Sequence, residues 1–450
     1  VKNAILQELS RLAERDEQTA HHRLTEAVRA ARGPLRQQQP DGDYLVSFVA
    51  LDHTERPALR TELLPGLEPS AWLDPVPGIA GAWCVELVVR RDIRTTYQFQ
   101  DRILPFPGAE ALDDPAVLQR YVRQRYRVSH ADPMNPDRRP PAVIDPAALA
   151  EPTTPAPDGG AGEAVQPPIE KWDSLLELPD APAFPWHRPI AQRGTVTRRR
   201  FDSARLGNSR DLTIWTPPGH HAAGPQLPVL LLLDGEAFAD ENVRAPWIFD
   251  ALHAAGKVRP FIGVLVHNAS ETSRMTEYPC NPEFADVVVD DLLPELRARY
   301  RISSEAADVI VGGFSYSGLA ANHLGLFRPD RIGGVLSLSA SVWWGKRREG
   351  TGELVAASGR DDAPEWLTRN IPAAPKVVPA PRFWLDVGIL EDASIPYADG
   401  ASMLDSNRRF SDALQANGYR VVDYVEAPGG HDLLHWRVAL ADGLIALLGR

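Results

Sequence analysis

Cysteine is almost missing from this 450-residue chain: Cys84 and Cys280 are the only two, far apart and outside any C-x-x-C spacing. That argues against a disulfide scaffold and against a cysteine-based zinc site, and it suits a reducing, cytoplasmic compartment. Basic residues are in the minority, 48 Lys+Arg against 60 Asp+Glu, giving a net charge of −12. A surface of that sign does not attract phosphate, so nucleic acid is not an expected partner. Runs of eighteen or more apolar residues are missing too, and no membrane span is expected. Residues 1–32 read as helical and charged, with no apolar signal core and no small-residue cleavage site. What remains is ordinary globular composition, 44% hydrophobic and 24% charged. This excludes disorder for the chain as a whole, and the length suits two or three domains.

Proline is plentiful, 41 residues, and its clusters mark the joints. Residues 3–12 and 20–31 place apolar side chains at helical spacing and predict two short amphipathic helices. Residues 44–51 (YLVSFVAL), 83–89 (WCVELVV) and 95–100 (TTYQFQ) are aromatic, β-branched runs separated by turn clusters. They predict a small antiparallel β-sandwich, with Trp83 and Tyr97 in its core. Residues 136–168 combine prolines, small side chains and a Gly-Gly pair, the texture of a linker. After residue 195, short apolar runs at 212–216, 229–233, 261–267, 309–312, 334–339 and 383–388 alternate with helical stretches at 286–300, 318–327 and 405–417. That alternation predicts an α/β domain with a parallel core sheet and helices on both faces. The expected layout is a helical segment at 1–32, a sandwich at 33–135, a linker at 136–170 and a catalytic domain at 171–450.

The sharpest chemical signal is Gly313-Phe-Ser315-Tyr-Ser317-Gly318, entered by a β-rich run and left by a helical one. This is the strand–turn–helix setting of a nucleophile elbow, in which small residues flank a serine held in a tight turn. The fifth position, usually glycine, is Ser317. The turn would aim the amide of Tyr316 at a developing oxyanion. A serine hydroxyl needs an adjacent base, and His431 in Pro428-Gly-Gly-His431-Asp432 follows the last predicted strand, as the α/β-hydrolase order of serine, acid, histidine requires. His435 lies one helical turn further on and reads as packed or solvated. The acid should follow the preceding strand, where Glu391 and Asp392 stand. Glu391 is the first choice, Asp399 and Asp405 are weaker ones, and Asp386 lies inside the strand pattern, pointing elsewhere. Gly235, in Leu230-Leu-Leu-Leu-Asp234-Gly-Glu236, either gives a second oxyanion amide or belongs to an ordinary turn.

Taken together, LLLDGE, SRMTEYPCNPEF (273–284), GGFSYSG, SVWWGKR (341–347) and GGHDLLHWR resemble the enterochelin (enterobactin) esterases, as does ADPMNP (131–136), which is similar to that family's interdomain segment. The resemblance covers roughly residues 40–450. It implies an α/β-hydrolase catalytic domain with an N-terminal antiparallel β-sandwich domain, and hydrolysis of the trilactone backbone of a catecholate siderophore. Ser315 and His431 match the family's nucleophile and base, and Glu391 lies where the family has its acidic loop. Ser317, the long linker, the N-terminal helices and the apparent insertion at 399–405 depart from the pattern. No cofactor is implied, since iron would arrive within the substrate.

A ferric tris-catecholate carries negative charge and broad aromatic faces, so cations beside aromatic rings would recognise it. Arg274, Trp343, Trp344 and Lys346, with Arg347 and Arg348, supply such groups near predicted strand ends. The plainer alternatives are a structural ion pair of Arg274 with Glu277, packing tryptophans and a solvated basic loop. Two rival functions stay open. One is an esterase or acyltransferase acting on another cyclic depsipeptide or acyl ester; the other is a non-catalytic ligand-binding protein.

Overall fold

The short apolar runs pair into three sheets. The computed structural model describes residues 2–66, 69–108, 115–140, 168–184, 190–345, 364–395 and 401–449, and the chain divides into two units, Val1–Pro182 and Ala183–Arg450. In the first unit, β1 (Leu35–Gln38), β2 (Tyr44–Ala50), β5 (Asp74–Pro75) and β6 (Trp83–Val89) form one antiparallel sheet in the order β1-β2-β6-β5. A second follows the order β4-β3-β7-β10-β9, from β3 (Ala58–Thr61), β4 (Ser70–Trp72), β7 (Arg94–Gln100), β9 (Arg138–Arg139) and β10 (Asp173–Glu177), with β8 (Ser129–His130) on β7. Buried rings link the two sheets: Phe48 of β2 meets Tyr97 of β7 edge-on with centroids 4.9 Å apart. The helices Ala4–Ala13 and Glu17–Ala31 bury Leu6, Leu9, Leu24 and Val28 against Leu35, Val49 and Cys84. They thus belong to this unit's core rather than standing apart as a segment.

The linker reading is corrected at its end. Residues 141–167 lie outside the described ones, but β10, assigned from the sequence to the catalytic domain, pairs with β7 in the register Ser174↔Tyr97. Proline clusters show where the chain is irregular; they do not show which sheet the next strand joins.

The second unit holds an eight-stranded sheet ordered β11-β12-β14-β13-β15-β16-β17-β18. Its strands are β11 (Thr195–Ser203), β12 (Asn208–Thr216), β13 (Val229–Leu233), β14 (Ile262–Val266), β15 (Val309–Phe314), β16 (Gly334–Leu338), β17 (Arg382–Gly388) and β18 (Arg420–Ala427). From β14 to β18 the pairs are parallel, while β11 and β12 are antiparallel additions at one edge. The central strands β13 and β15 are buried at every residue, as expected for strands covered on both faces. Leu230, Leu232, Ile310 and Leu336 share a core with Phe249, Trp436, Leu440 and Leu444. The single helix expected over 286–300 is instead Pro282–Asp286, a wider π turn at Val287–Leu292, and Leu293–Arg299. Pro294 lacks the N–H that would bond one turn back, and the helix widens just before it.

Candidate active site

Three neighbouring parallel strands, β13, β15 and β16, each end on a non-glycine residue in the left-handed region: Asp234 (φ +58°), Ser315 (φ +54°) and Ser339 (φ +41°). Such conformations are costly for L side chains and collect where a site demands them. Ser315 sits between β15 and the helix Ser315–Phe327. A Cβ on Gly313 would lie 2.5 Å from the Ser317 carbonyl carbon, so only glycine fits under the turn. The serine at 317 is also accounted for. Its buried hydroxyl accepts the Phe314 N–H at 2.9 Å and donates to the Phe314 carbonyl at 2.7 Å, closing the turn from inside.

The backbone of Ser315 is held on both sides, its N–H bonding the Ser339 carbonyl at 3.2 Å and its carbonyl accepting the Ser341 N–H at 2.9 Å. Its Oγ lies 3.3 Å from Ser341 Oγ. This is the one hydrogen-bond partner of Ser315 Oγ among the described residues; a bond to His431 is not formed in this state. Bonds between a nucleophile and its base are often long without substrate and tighten in the reacting complex.

His431 follows β18, and its Nδ1 lies 2.6 Å from Glu391 Oε2. The other oxygen of Glu391 accepts the Gly388 N–H at 2.8 Å and the Ser339 hydroxyl at 2.5 Å. Burial alone would push the Glu391 carboxyl up. The His431 and His435 charges and these hydrogen bonds outweigh it, and the carboxyl lies below its ordinary value. With Nδ1 committed to Glu391, the remaining ring nitrogen, Nε2, is free in chemical terms to act on a hydroxyl. Asp392 is exposed, and Asp405 lies in the first turn of the helix Met403–Ala416, capped by Ser402, where it pairs with Arg408; Asp399 lies outside the described residues.

A second histidine–carboxylate pair lies beneath the first and was not anticipated. His435 Nε2 is 2.5 Å from Asp386 Oδ1, with both side chains almost fully buried. Burial lowers the imidazole's proton affinity, but Asp386 of β17, Glu391 of the following loop and Asp432 at the start of its own helix face it, and together they raise it to about 9. An imidazolium raised from about 6.5 to about 9 contributes stability that is full below about 6.5 and fades as pH rises through about 9. Asp386→Asn is therefore expected to cost about 3–5 kcal/mol, the usual result of breaking a buried pair, and to flatten the loss of stability between those pH values. Urea unfolding at pH 6.5 and 9 measures both; equal stability of the two proteins would show that the pair contributes nothing.

On the other side of the elbow, Gly235 opens a short helix after β13. A Cβ there would lie 2.6 Å from the backbone of Leu265 and Val266, which fixes glycine at this position. The neighbouring Glu236 is pushed up to about 7 by burial and by the Asp234 carboxylate. Arg274 does not present a free cation. It is buried, its Nε and Nη2 each 2.8 Å from the Asp234 carboxylate, with its guanidinium over the Tyr316 ring at 5.8 Å. A two-point pair cancels the charge that was expected to read substrate. Nor is Glu277 its partner; Glu277 binds Asn208 and Arg210 at 2.6 and 2.8 Å. Trp343 is buried against Tyr316, ring centroids 6.1 Å apart, whereas Trp344 is half-buried. Lys346, Arg347 and Arg348 lie outside the described residues. Ser339, Ser341 and the Asp386–His435 pair were missed. The signal available was the alternation of Ser337, Ser339 and Ser341 in an otherwise apolar strand end, where buried hydroxyls require partners.

Among the described residues no helix is long and apolar enough to cross a membrane. The Esterase family model, described as "Putative esterase", matches residues 203–447. The chain is 32% identical over 317 residues to an iron(III) enterobactin esterase of Escherichia coli, covering 67% of this chain and 68% of that one. It is 28% identical over 432 residues to the iron(III) enterobactin esterase of Dickeya dadantii, covering 91% and 86%. Among solved structures, the ferric enterobactin esterase of Salmonella typhimurium superimposes with TM-score 0.68 at 25% identity, covering 93% of this chain and 97% of that one. The enterobactin esterase of Shigella flexneri, solved in the presence of enterobactin, gives 0.65 at 25% identity with the same coverage. With its α/β-hydrolase-like sheet and a serine elbow at the end of β15, the chain is an esterase and belongs to the enterobactin esterase family.

Proposed function

We propose that this chain hydrolyses the ester bonds of a catecholate siderophore trilactone of the enterobactin type, with Ser315, His431 and Glu391 as its catalytic triad. The observation that carries the reading is the 2.6 Å His431–Glu391 pair on the loops after β18 and β17, beside the strained Ser315 at the end of β15. Ser315 Oγ attacks a lactone carbonyl carbon while His431 Nε2 takes its proton; the amides of Tyr316 and Gly235 receive the oxyanion. The tetrahedral intermediate collapses, and His431 returns the proton to the departing alkoxide oxygen. Water then enters by the same path: His431 removes its proton, the seryl ester breaks, and Ser315 leaves with a proton from His431. Glu391 keeps the imidazole in the tautomer with Nδ1 protonated. The two N-terminal antiparallel sheets serve as a β-sandwich accessory domain, and a cytoplasmic location fits the two free cysteines.

Aromatic stacking carries the reading of substrate, now that Arg274 is neutralised by Asp234. Half-buried Trp344 would stack on a catechol, while buried Trp343 packs against Tyr316. Incubation with ferric and iron-free enterobactin, followed by mass spectrometry, should show ring opening and shorter dihydroxybenzoylserine esters. Turnover of a nitrophenyl ester with neither siderophore cleaved would overturn the substrate assignment. Trp344→Ala should weaken catecholate turnover several-fold more than nitrophenyl ester turnover at unchanged stability. Trp343→Ala should instead lower stability by about 3–5 kcal/mol, as loss of a buried large aromatic does.

A further inference from the structure

Ser339 is completely buried and holds more of the site together than its position after β16 suggests. Its carbonyl accepts the N–H of Ser315 at 3.2 Å, and its own N–H bonds the Asp386 carbonyl at 2.7 Å. Its hydroxyl donates to Glu391 Oε1 at 2.5 Å and accepts the indole N–H of Trp436 at 2.9 Å. The Trp436 ring in turn packs edge-on against His431, centroids 4.8 Å apart, and lies flat on Phe314, the residue before the nucleophile, at 4.1 Å. One residue thus touches the nucleophile's backbone, the acid's carboxylate and the ring that backs the base. It does so in the left-handed region, φ +41°, where serine is strained. Strain of this kind persists where surrounding bonds over-determine it.

We propose that Ser339 is a positioning residue that locks the Glu391 carboxylate, and through it His431, to the nucleophile turn. The proposal rests on the reading of Glu391 as the acid. The hydroxyl does two things. It selects the rotamer of Glu391, because Oε1 is held by Ser339 and Gly388 and only Oε2 is left for His431. It also draws off part of the carboxylate's negative charge, which moderates the pull of Glu391 on the His431 proton. Trp436 sets the direction of the hydroxyl, since a donor on Oγ leaves the hydroxyl hydrogen to point at Glu391.

The test is the kinetics of Ser339→Ala on a nitrophenyl ester, with Glu391→Gln and the double variant measured beside it. Loss of a hydrogen bond to a charged group should lower kcat about 10–100-fold with KM within about two-fold. The acid limb of the kcat/KM profile should move to higher pH, because a carboxylate with one donor fewer holds the His431 proton more tightly. A merely structural defect would leave that limb in place, or move it to lower pH by loosening Glu391 from His431. The double variant should be no slower than Glu391→Gln alone, because Ser339 acts through the acid. Multiplied losses in the double variant, or a limb that stays in place or moves to lower pH in Ser339→Ala, overturn the proposal. If Glu391→Gln is harmless, the assignment of the acid fails; if Glu391→Gln is slow and Ser339→Ala is not, the role of Ser339 alone fails. Trp436 loses its acceptor in the alanine variant. Ser339→Gly, which also removes the hydroxyl but adopts positive φ without strain, carries the same test should the alanine protein fold poorly.

Discussion

Ser315→Ala and His431→Ala are each expected to lower kcat for ester hydrolysis by about 10⁵–10⁶, and the double variant is expected to be little slower than either alone. The reason is mechanistic coupling. A serine hydroxyl is a weak nucleophile until a base takes its proton, and an imidazole without the hydroxyl has nothing to activate for acyl transfer. Removing either therefore removes the same step. What remains is catalysis by the oxyanion donors and by binding, which do not depend on the pair. The backbone around Ser315 is fixed by Ser339 and Ser341, and its side chain contributes only the 3.3 Å contact to Ser341 Oγ. Thermal unfolding of Ser315→Ala should therefore stay close to wild type. Losses that multiply in the double variant would mean that the two residues act in separate steps, and the triad would have to be abandoned. In a substrate-analogue complex, Ser315 Oγ should leave Ser341 and close to about 3 Å from His431 Nε2.

The parts of the site legible in the sequence were those encoded by short, contiguous segments. A β-rich run, a glycine-flanked serine and a helical run specify the elbow locally, and β15 and its helix form where those runs stand. The chain order of serine, acid and histidine pointed to Glu391 and His431, and the two side chains do meet at 2.6 Å, because parallel strands deliver successive loops to one edge of the sheet. Contacts between distant segments were not legible. Arg274 finds Asp234 across 40 residues, His435 finds Asp386 across 49 and Ser339 finds Glu391 across 52. Each depends on register, such as Leu338 lying opposite Asp386 in the β16–β17 pair, and composition carries no trace of register. Arg274 shows the consequence. A basic residue near a strand end suggests anion reading, yet the neighbouring strand's Asp234 takes its charge, and no local pattern distinguishes the two. In the first unit, the pairing of β10 with β7 reaches across the proline-rich stretch for the same reason.

Glu391→Gln should cost up to about 10⁴ in kcat, far more than Asp392→Asn, which should stay within about two-fold. The geometry explains why so small a change has so large an effect. Two fixed donors, the Gly388 N–H at 2.8 Å and the Ser339 hydroxyl at 2.5 Å, converge on Oε1. In the glutamine variant the amide oxygen must take that position, because an NH₂ group would meet two donors head-on. The NH₂ is then left facing His431 Nδ1, in the place of Oε2, which now lies 2.6 Å from it. Nδ1 has to become the acceptor, so the ring proton moves to Nε2. An imidazole protonated at Nε2 cannot take a proton from Ser315, and the base is disabled with the fold intact. Glu391→Ala should be less damaging than this trap would suggest, since a ring freed from the amide can rotate and regain the useful tautomer in part. Measured as kcat on a nitrophenyl ester at pH 7.5, with melting curves beside it, the expected order of activity is wild type and Asp392→Asn together, then Glu391→Ala, then Glu391→Gln. If Asp392→Asn is the slower protein, the acid is Asp392. If Glu391→Gln and Asp392→Asn both lie within a few-fold of wild type, His431 works without a carboxylate partner, and the bonds converging on Glu391 only shape the loop.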